Sequence, residues 1–190
     1  MNELENRNLL VLDDEEEILK ALRRQFRKSY QIFDASTPKD AYIIMRENPI
    51  QVIISDQRMP EMNGTEFLSS VKSEFPDAIR LILTGYADIK AVIDAINAGN
   101  VFRYVTKPWD PVELDTIVNE AFEKYELTIR NRKLVEDLKT ANELLEQRVK
   151  ERTEELLKLN TTKDKFFAHV VFCVTPHKIR RNSNVTFFKL

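Results

Sequence analysis

The chain has 190 residues and a formal net charge of −2, which leaves room for one full domain and something smaller. Hydrophobic residues (43%) supply one real core, while 32% charged residues point to a long solvated element beside it. The charge balance argues against a basic field for nucleic acid, the single Cys173 against a disulfide framework, and the lack of an apolar run of roughly 18 residues against a membrane helix, so a cytoplasmic protein without signal peptide is expected.

Taken in chain order, apolar runs alternate with helical patterns. "NLLVLD" (8–13) and "QVIISD" (51–56) lack polar alternation and read as strands buried on both faces. "YQIFDA" (30–35), "IRLILT" (79–84) and "VFRYVT" (101–106) complete five strands. Between them, 15–28, 37–48, 64–75 and 87–98 show amphipathic helical spacing, and another helix starts at 111. Thr37-Pro38 and Asp110-Pro111 are N-cap and first-turn signatures. The glycines Gly64, Gly85 and Gly99, with six of the seven prolines, lie at or before Pro111, and neither type occurs from Val112 to Thr175. Breakers punctuate compact folds, so the first ~125 residues read as a domain of short elements and the rest as one long helix. Strict βα alternation implies a parallel sheet with helices on both faces, and such sheets work at the carboxyl ends of their strands.

Those ends carry Asp13 and Asp14 (strand one), Asp56 (strand three), Thr84 (strand four) and Lys107 (strand five). Three carboxylates at one sheet edge repel one another and call for a cation. Oxygen donors without His or Cys suit a hard ion, Mg²⁺ better than a calcium cage. A carboxylate beside Mg²⁺, with an amine and a hydroxyl close by, is equipment for holding a phosphoryl group.

Four segments, "VLDDEEEI" (11–18), "IISDQRMPEMNG" (53–64), "LILTGYAD" (81–88) and "YVTKPWD" (104–110), occur in order at the right spacing. On these, residues 7–125 resemble the receiver domain of two-component response regulators. The resemblance implies a flavodoxin-like (βα)5 fold with strand order 2-1-3-4-5. It implies Asp56 as phosphoacceptor from a phosphohistidine, Asp14 and Asp56 as direct Mg²⁺ ligands, Asp13 acting through water, and the Arg58 backbone carbonyl completing the set. Lys107 would pair with one phosphoryl oxygen and Thr84 would donate its hydroxyl to another. Tyr104 matches the switch aromatic, and a cis Lys107–Pro108 bond is expected to aim the lysine at the site. Gly64 would permit a close approach or a helix start, and Gly85 would relieve the loop after Thr84. Arg58 and Tyr86 stand two past Asp56 and Thr84, where the family's side chains tune hydrolysis; their bulk predicts a long-lived phosphate.

Beyond the domain, Leu127, Leu134, Leu138, Ala141, Leu145, Val149, Leu156 and Leu159 recur in steps of three, four and seven, a coiled-coil seam. The four-residue steps 141–145–149 form a stutter, and Asn131 and Arg152 fall on the seam. Residues 112–160 would span about 74 Å as a helix. A stripe of that length calls for a partner, and a parallel homodimer through 126–160 is expected. "LEQRVKERTEELLKLNTTKDKFF" (145–167) resembles the linker before the dimerisation helices of sensor histidine kinases, but neither His169 nor His177 sits in the phosphohistidine pattern.

The expected organisation is therefore a receiver domain (1–125), a coiled-coil signalling helix (126–164) and a modestly basic tail (165–190). It would act as a phosphoaccepting regulator rather than an enzyme, with a histidine kinase or phosphotransfer protein as partner. The alternatives are the receiver portion of a hybrid kinase or output enzyme, and a nucleic-acid binder using the tail.

Overall fold

The computed structural model describes residues 7–85, 93–94, 96–97 and 99–174, with side chains described as far as Phe167. Five strands, β1 (Asn8–Leu12), β2 (Gln31–Ala35), β3 (Val52–Asp56), β4 (Ile79–Thr84) and β5 (Arg103–Thr106), form one sheet in the order β2-β1-β3-β4-β5. Every pairing is parallel, so the carboxyl ends lie along one edge. β1 and β3 are buried throughout, as their unbroken apolar runs require, while the outer strands β2 and β5 are partly exposed. The flavodoxin-like arrangement expected from the sequence is the one observed.

The pleat sorts the apolar residues into two cores. On one face, Leu9, Val11, Val52, Ile54, Leu81 and Leu83 pack with Leu19, Leu22 and Phe26 of helix α1 (Glu16–Phe26). Leu114, Val118 and Phe122 of the C-terminal helix α4 (Pro111–Val174) join them. On the other face, Leu10, Leu12, Ile53 and Ile82 meet Ala41 and Met45 of α2 (Pro38–Glu47) and Phe67, Leu68 and Val71 of α3 (Gly64–Val71). The two expected caps are present. Thr37 accepts from the Asp40 amide at 3.1 Å, and Asp110 Oδ1 accepts from the Val112 and Glu113 amides at 2.9 Å each. Of the helix expected at 87–98, Ile93, Asp94, Ile96 and Asn97 are helical and the rest lies outside the described residues.

By compactness the chain divides into two units, Met1–Leu134 and Val135–Leu190, the boundary falling inside α4. In the first unit, α4 is tied down by polar contacts besides its apolar face. The Arg7 guanidinium donates to Asn119 Oδ1 (2.9 Å), pairs with Glu126 (3.1 Å) and lies over the Phe122 ring, while Arg103 pairs with Glu120 (2.7 Å) and Arg132 with Asp77. In the second unit, every residue described from Val135 to Phe167 is exposed, including the seam residues Leu138, Leu145, Val149, Leu156 and Leu159. The helix continues to Val174, past the 164 expected for the coil; the tail beyond, with His177, lies outside the described residues. Among the described residues no helix is long and apolar enough to cross a membrane.

Candidate functional site at the carboxyl edge of the sheet

Lys107 is the hub. Its ammonium lies 2.8 Å from Asp13 Oδ2 and 2.5 Å from Asp56 Oδ1, joining the ends of β1 and β3 from the loop after β5. The Lys107–Pro108 peptide is cis, as expected. The Lys107 backbone amide donates to the Thr84 carbonyl at 2.8 Å, so the lysine is also fastened to the end of β4. The remaining carboxylate oxygens are engaged locally: Asp13 Oδ1 accepts from the Glu15 amide (2.9 Å) and Asp56 Oδ2 from the Arg58 amide (2.7 Å).

Asp13 and Thr84 are fully buried and Asp56 nearly so. Burial pushes the Asp13 carboxyl above its usual range, against the opposing pull of the Lys107 hydrogen bond. Burial alone would lower the Lys107 ammonium, but its hydrogen bonds to Asp13 and Asp56, with their charge, outweigh this and hold it above the ordinary lysine value. The Thr84 hydroxyl donates to the Gly85 carbonyl at 3.0 Å. Tyr104 is half-buried on β5, opposite Ile82 and packed on the second core. Asp14 and Arg58 are exposed at the rim, and Tyr86 lies outside the described residues.

The β3–α3 turn holds Asp56 from behind. The Gln57 amide donates to the Leu83 carbonyl (2.9 Å), and the Gly64 amide donates to the Gln57 carbonyl (3.0 Å). Ser55 Oγ donates to the Asp56 carbonyl at 3.0 Å. A Cβ on Gly64 would stand 2.0 Å from that same carbonyl oxygen, so the close approach expected of Gly64 is real. Asn63, with Glu66, forms a capping box at the start of α3. That box was legible as N-x-x-E but not foreseen from the sequence.

The donor set suits a hard divalent cation in kind: oxygen only, with two buried carboxylates converging on one positive charge and Asp13 destabilised by burial. Among the described residues no three acidic, His or Cys side chains are gathered as a metal cluster, and Asp14 stands exposed beside the pair.

Comparison with known proteins gives a consistent result. Residues 9–119 match the family model of the response regulator receiver domain. The hydrogenase transcriptional regulatory protein HoxA of Cupriavidus necator is 34% identical over 140 residues, covering 74% of this chain and 29% of that protein. Regulatory protein AtoC of Escherichia coli is 28% identical over 134 residues, covering 70% of this chain and 29% of that protein. The chain thus spans about three tenths of the length of these relatives. Among solved structures, adenylate cyclase from Rhodopirellula baltica superposes with a TM-score of 0.67 at 29% identity, over 69% of this chain and 98% of that one. A response regulator receiver domain protein from Clostridium thermocellum gives 0.61 at 30% identity, over 64% and 98%.

Proposed function

The chain belongs to the response regulator receiver domain family, and from that premise we propose that it accepts a phosphoryl group on Asp56 from a histidine kinase or phosphotransfer protein. An Asp56 carboxylate oxygen attacks phosphorus, the new O–P bond forms, and the P–N bond of the phosphohistidine breaks with its electron pair returning to the imidazole. Lys107 supplies a positive charge to a phosphoryl oxygen, and the Thr84 hydroxyl leaves the Gly85 carbonyl to donate to another. Mg²⁺, held by Asp13, Asp14, Asp56 and the Arg58 carbonyl, would neutralise the charge gathered there when bound. The observation that carries this reading is the Lys107 ammonium set between two buried carboxylates at the strand ends. The test is phosphotransfer to wild type and Asp56→Asn; label on the wild type alone is expected, and equal labelling overturns it.

Downstream, movement of Thr84 shifts the half-buried Tyr104 and the face carrying β5 and the start of α4. The exposed stripe Leu127, Leu134, Leu138, Leu145, Val149, Leu156 and Leu159 supports a homodimeric coiled coil through 126–160 as the receiver of that change. Sizing and melting with and without beryllofluoride test the coupling: identical mass and stability in both states count against it. The bulk of Arg58 and Tyr86 gives a long-lived phosphate, tested by the decay rate of their alanine variants.

A second reading is favoured by the match to an adenylate cyclase structure. In it the receiver controls an output enzyme elsewhere in a longer protein. Nucleotide turnover that depends on Asp56 in that longer protein would support it.

A further inference from the structure

The segment from Lys107 to Pro111 links the site to α4, and its two ends are well held. Lys107 is fixed by the Thr84 carbonyl and two carboxylates, and Asp110 caps the helix. Its middle is not held by the backbone. Prolines 108 and 111 have no amide hydrogen, and among the described residues no backbone-to-backbone hydrogen bond reaches Trp109. What holds it is a side chain from the last turn of α1. Gln25 Nε2 donates to the Pro111 carbonyl at 2.8 Å, and Trp109 Nε1 donates to Gln25 Oε1 at 3.3 Å. An indole N–H can only donate and a carbonyl can only accept, so the amide has one workable orientation and both its ends are used. The Trp109 ring packs against the first core, which keeps the loop against α1.

We propose that Gln25 is a positioning residue for Lys107: its amide staples the Trp109–Pro111 segment and so keeps the Lys107 ammonium between Asp13 and Asp56 while fixing the first turn of α4. The functional consequence rests on the reading that Lys107 serves the phosphoryl group; the positioning itself does not. Gln25 touches neither carboxylate and acts only through the loop. It stands 82 positions before the lysine in the sequence, so the link exists only in the fold.

The experiment is a short pulse of acetic anhydride on the whole chain, with acetylation of each lysine read by mass spectrometry. A lysine held between two carboxylates is protected from acylation, and the exposed Lys139 and Lys150 of the long helix serve as internal standards. Gln25→Ala is expected to raise labelling of Lys107 about threefold or more, the scale set by losing hydrogen bonds of ordinary net strength, with the standards unchanged. Gln25→Glu keeps the acceptor for Trp109 but loses the donor to Pro111, and is expected to behave like Gln25→Ala. Trp109→Phe removes the indole bond together with part of the ring packed on the first core, and is expected to raise Lys107 labelling as well. Phosphorylation of Asp56 by an acyl phosphate slows by a similar factor in Gln25→Ala. Unchanged Lys107 protection in both Gln25 variants overturns the proposal, as does a rise shared equally by all lysines. A wild type that takes no label at Asp56 defeats the receiver reading instead, and Lys107 protection still decides the role of Gln25.

Discussion

Gly64→Ala should damage both the stability of the receiver unit and the placement of Asp56. The added Cβ would lie 2.0 Å from the Asp56 carbonyl oxygen, 2.9 Å from Ser55 Oγ and 3.0 Å from the Asp56 carbonyl carbon. Ordinary carbon–oxygen contact starts near about 3.3 Å, so the backbones must part by more than about 1 Å. No rotamer relieves the clash, because the nearest atom is main chain. Overpacking of a well-packed site costs about 1–3 kcal/mol. The separation also threatens the hydrogen bonds Gly64 N–H to Gln57 carbonyl and Ser55 Oγ to Asp56 carbonyl, each about 1 kcal/mol net. Together these amount to about 3–5 kcal/mol, a large share of the roughly 5–15 kcal/mol of a typical domain.

With a urea m-value of about 2 kcal/mol/M, the unfolding midpoint should fall by roughly 1.5–2.5 M at unchanged m. Phosphorylation of Asp56, measured well below that midpoint, should slow because the strand end that carries it has moved. Gly85→Ala is the control: among the described residues no atom lies within 4 Å of its Cβ position, and the change should stay within about 0.5 kcal/mol. A Gly64→Ala midpoint matching wild type would refute the reasoning, since it would mean that the start of α3 yields freely.

Asp13→Asn should stabilise the protein at neutral pH in Mg²⁺-free buffer. Burial raises the Asp13 pKa, so just above the ordinary carboxylate value of about 4 the folded state keeps a proton that the unfolded chain has lost, and stability falls as pH rises through that window. The asparagine variant should show a flatter thermal-midpoint profile there and a higher midpoint at pH 7; a lower midpoint at pH 7 would mean that the Lys107 pairing outweighs burial. Leu138→Glu or Leu145→Glu should leave phosphorylation intact and turn the proposed dimer into a monomer at micromolar concentration. Burying one leucine is worth about 1.5–3 kcal/mol, and two-fold symmetry applies the loss to both strands. Sedimentation velocity reads the result, and an unchanged mass would remove those leucines from the interface.

β1 and β3 were legible because their apolar runs are short and unbroken, the other three strands because short apolar stretches recur between helical patterns, and the observed ends differ from the expected ones by at most two residues. The site residues could be placed on one edge because parallel strands put all their carboxyl ends together, so Asp13, Asp56, Thr84 and Lys107 needed only their strand positions. What could not be read was how the charges pair. Three carboxylates suggested a gathered acidic cluster, whereas one ammonium bridges Asp13 and Asp56 and leaves Asp14 at the rim. Gln25 was invisible for a different reason. A glutamine on a half-exposed helical position has no signature, and its partners Trp109 and Pro111 are joined to it only by tertiary packing.

The arrangement around Lys107 also gives the proposed signal a direction. Each oxygen of Asp56 already has a partner, one the Lys107 ammonium and the other the Arg58 amide, and each keeps a further lone pair, so a phosphoryl group arriving on Asp56 brings negative charge up against one of these two partners. The Arg58 amide belongs to the turn braced by Gly64 against the backbone of Asp56, and is the stiffer of the two. Lys107 is the longer and freer partner, and the more able to follow a charge that moves outward from Asp56 onto phosphoryl oxygens. Its backbone is tied to Thr84, and its loop is stapled through Gln25 to the first turn of α4. Displacement of the ammonium therefore pulls on β4 and on the start of the long helix together, whereas displacement of Arg58 would load α3. On that ground the proposed phosphorylation signal should leave through the Lys107 loop toward the helix carrying the exposed leucine stripe.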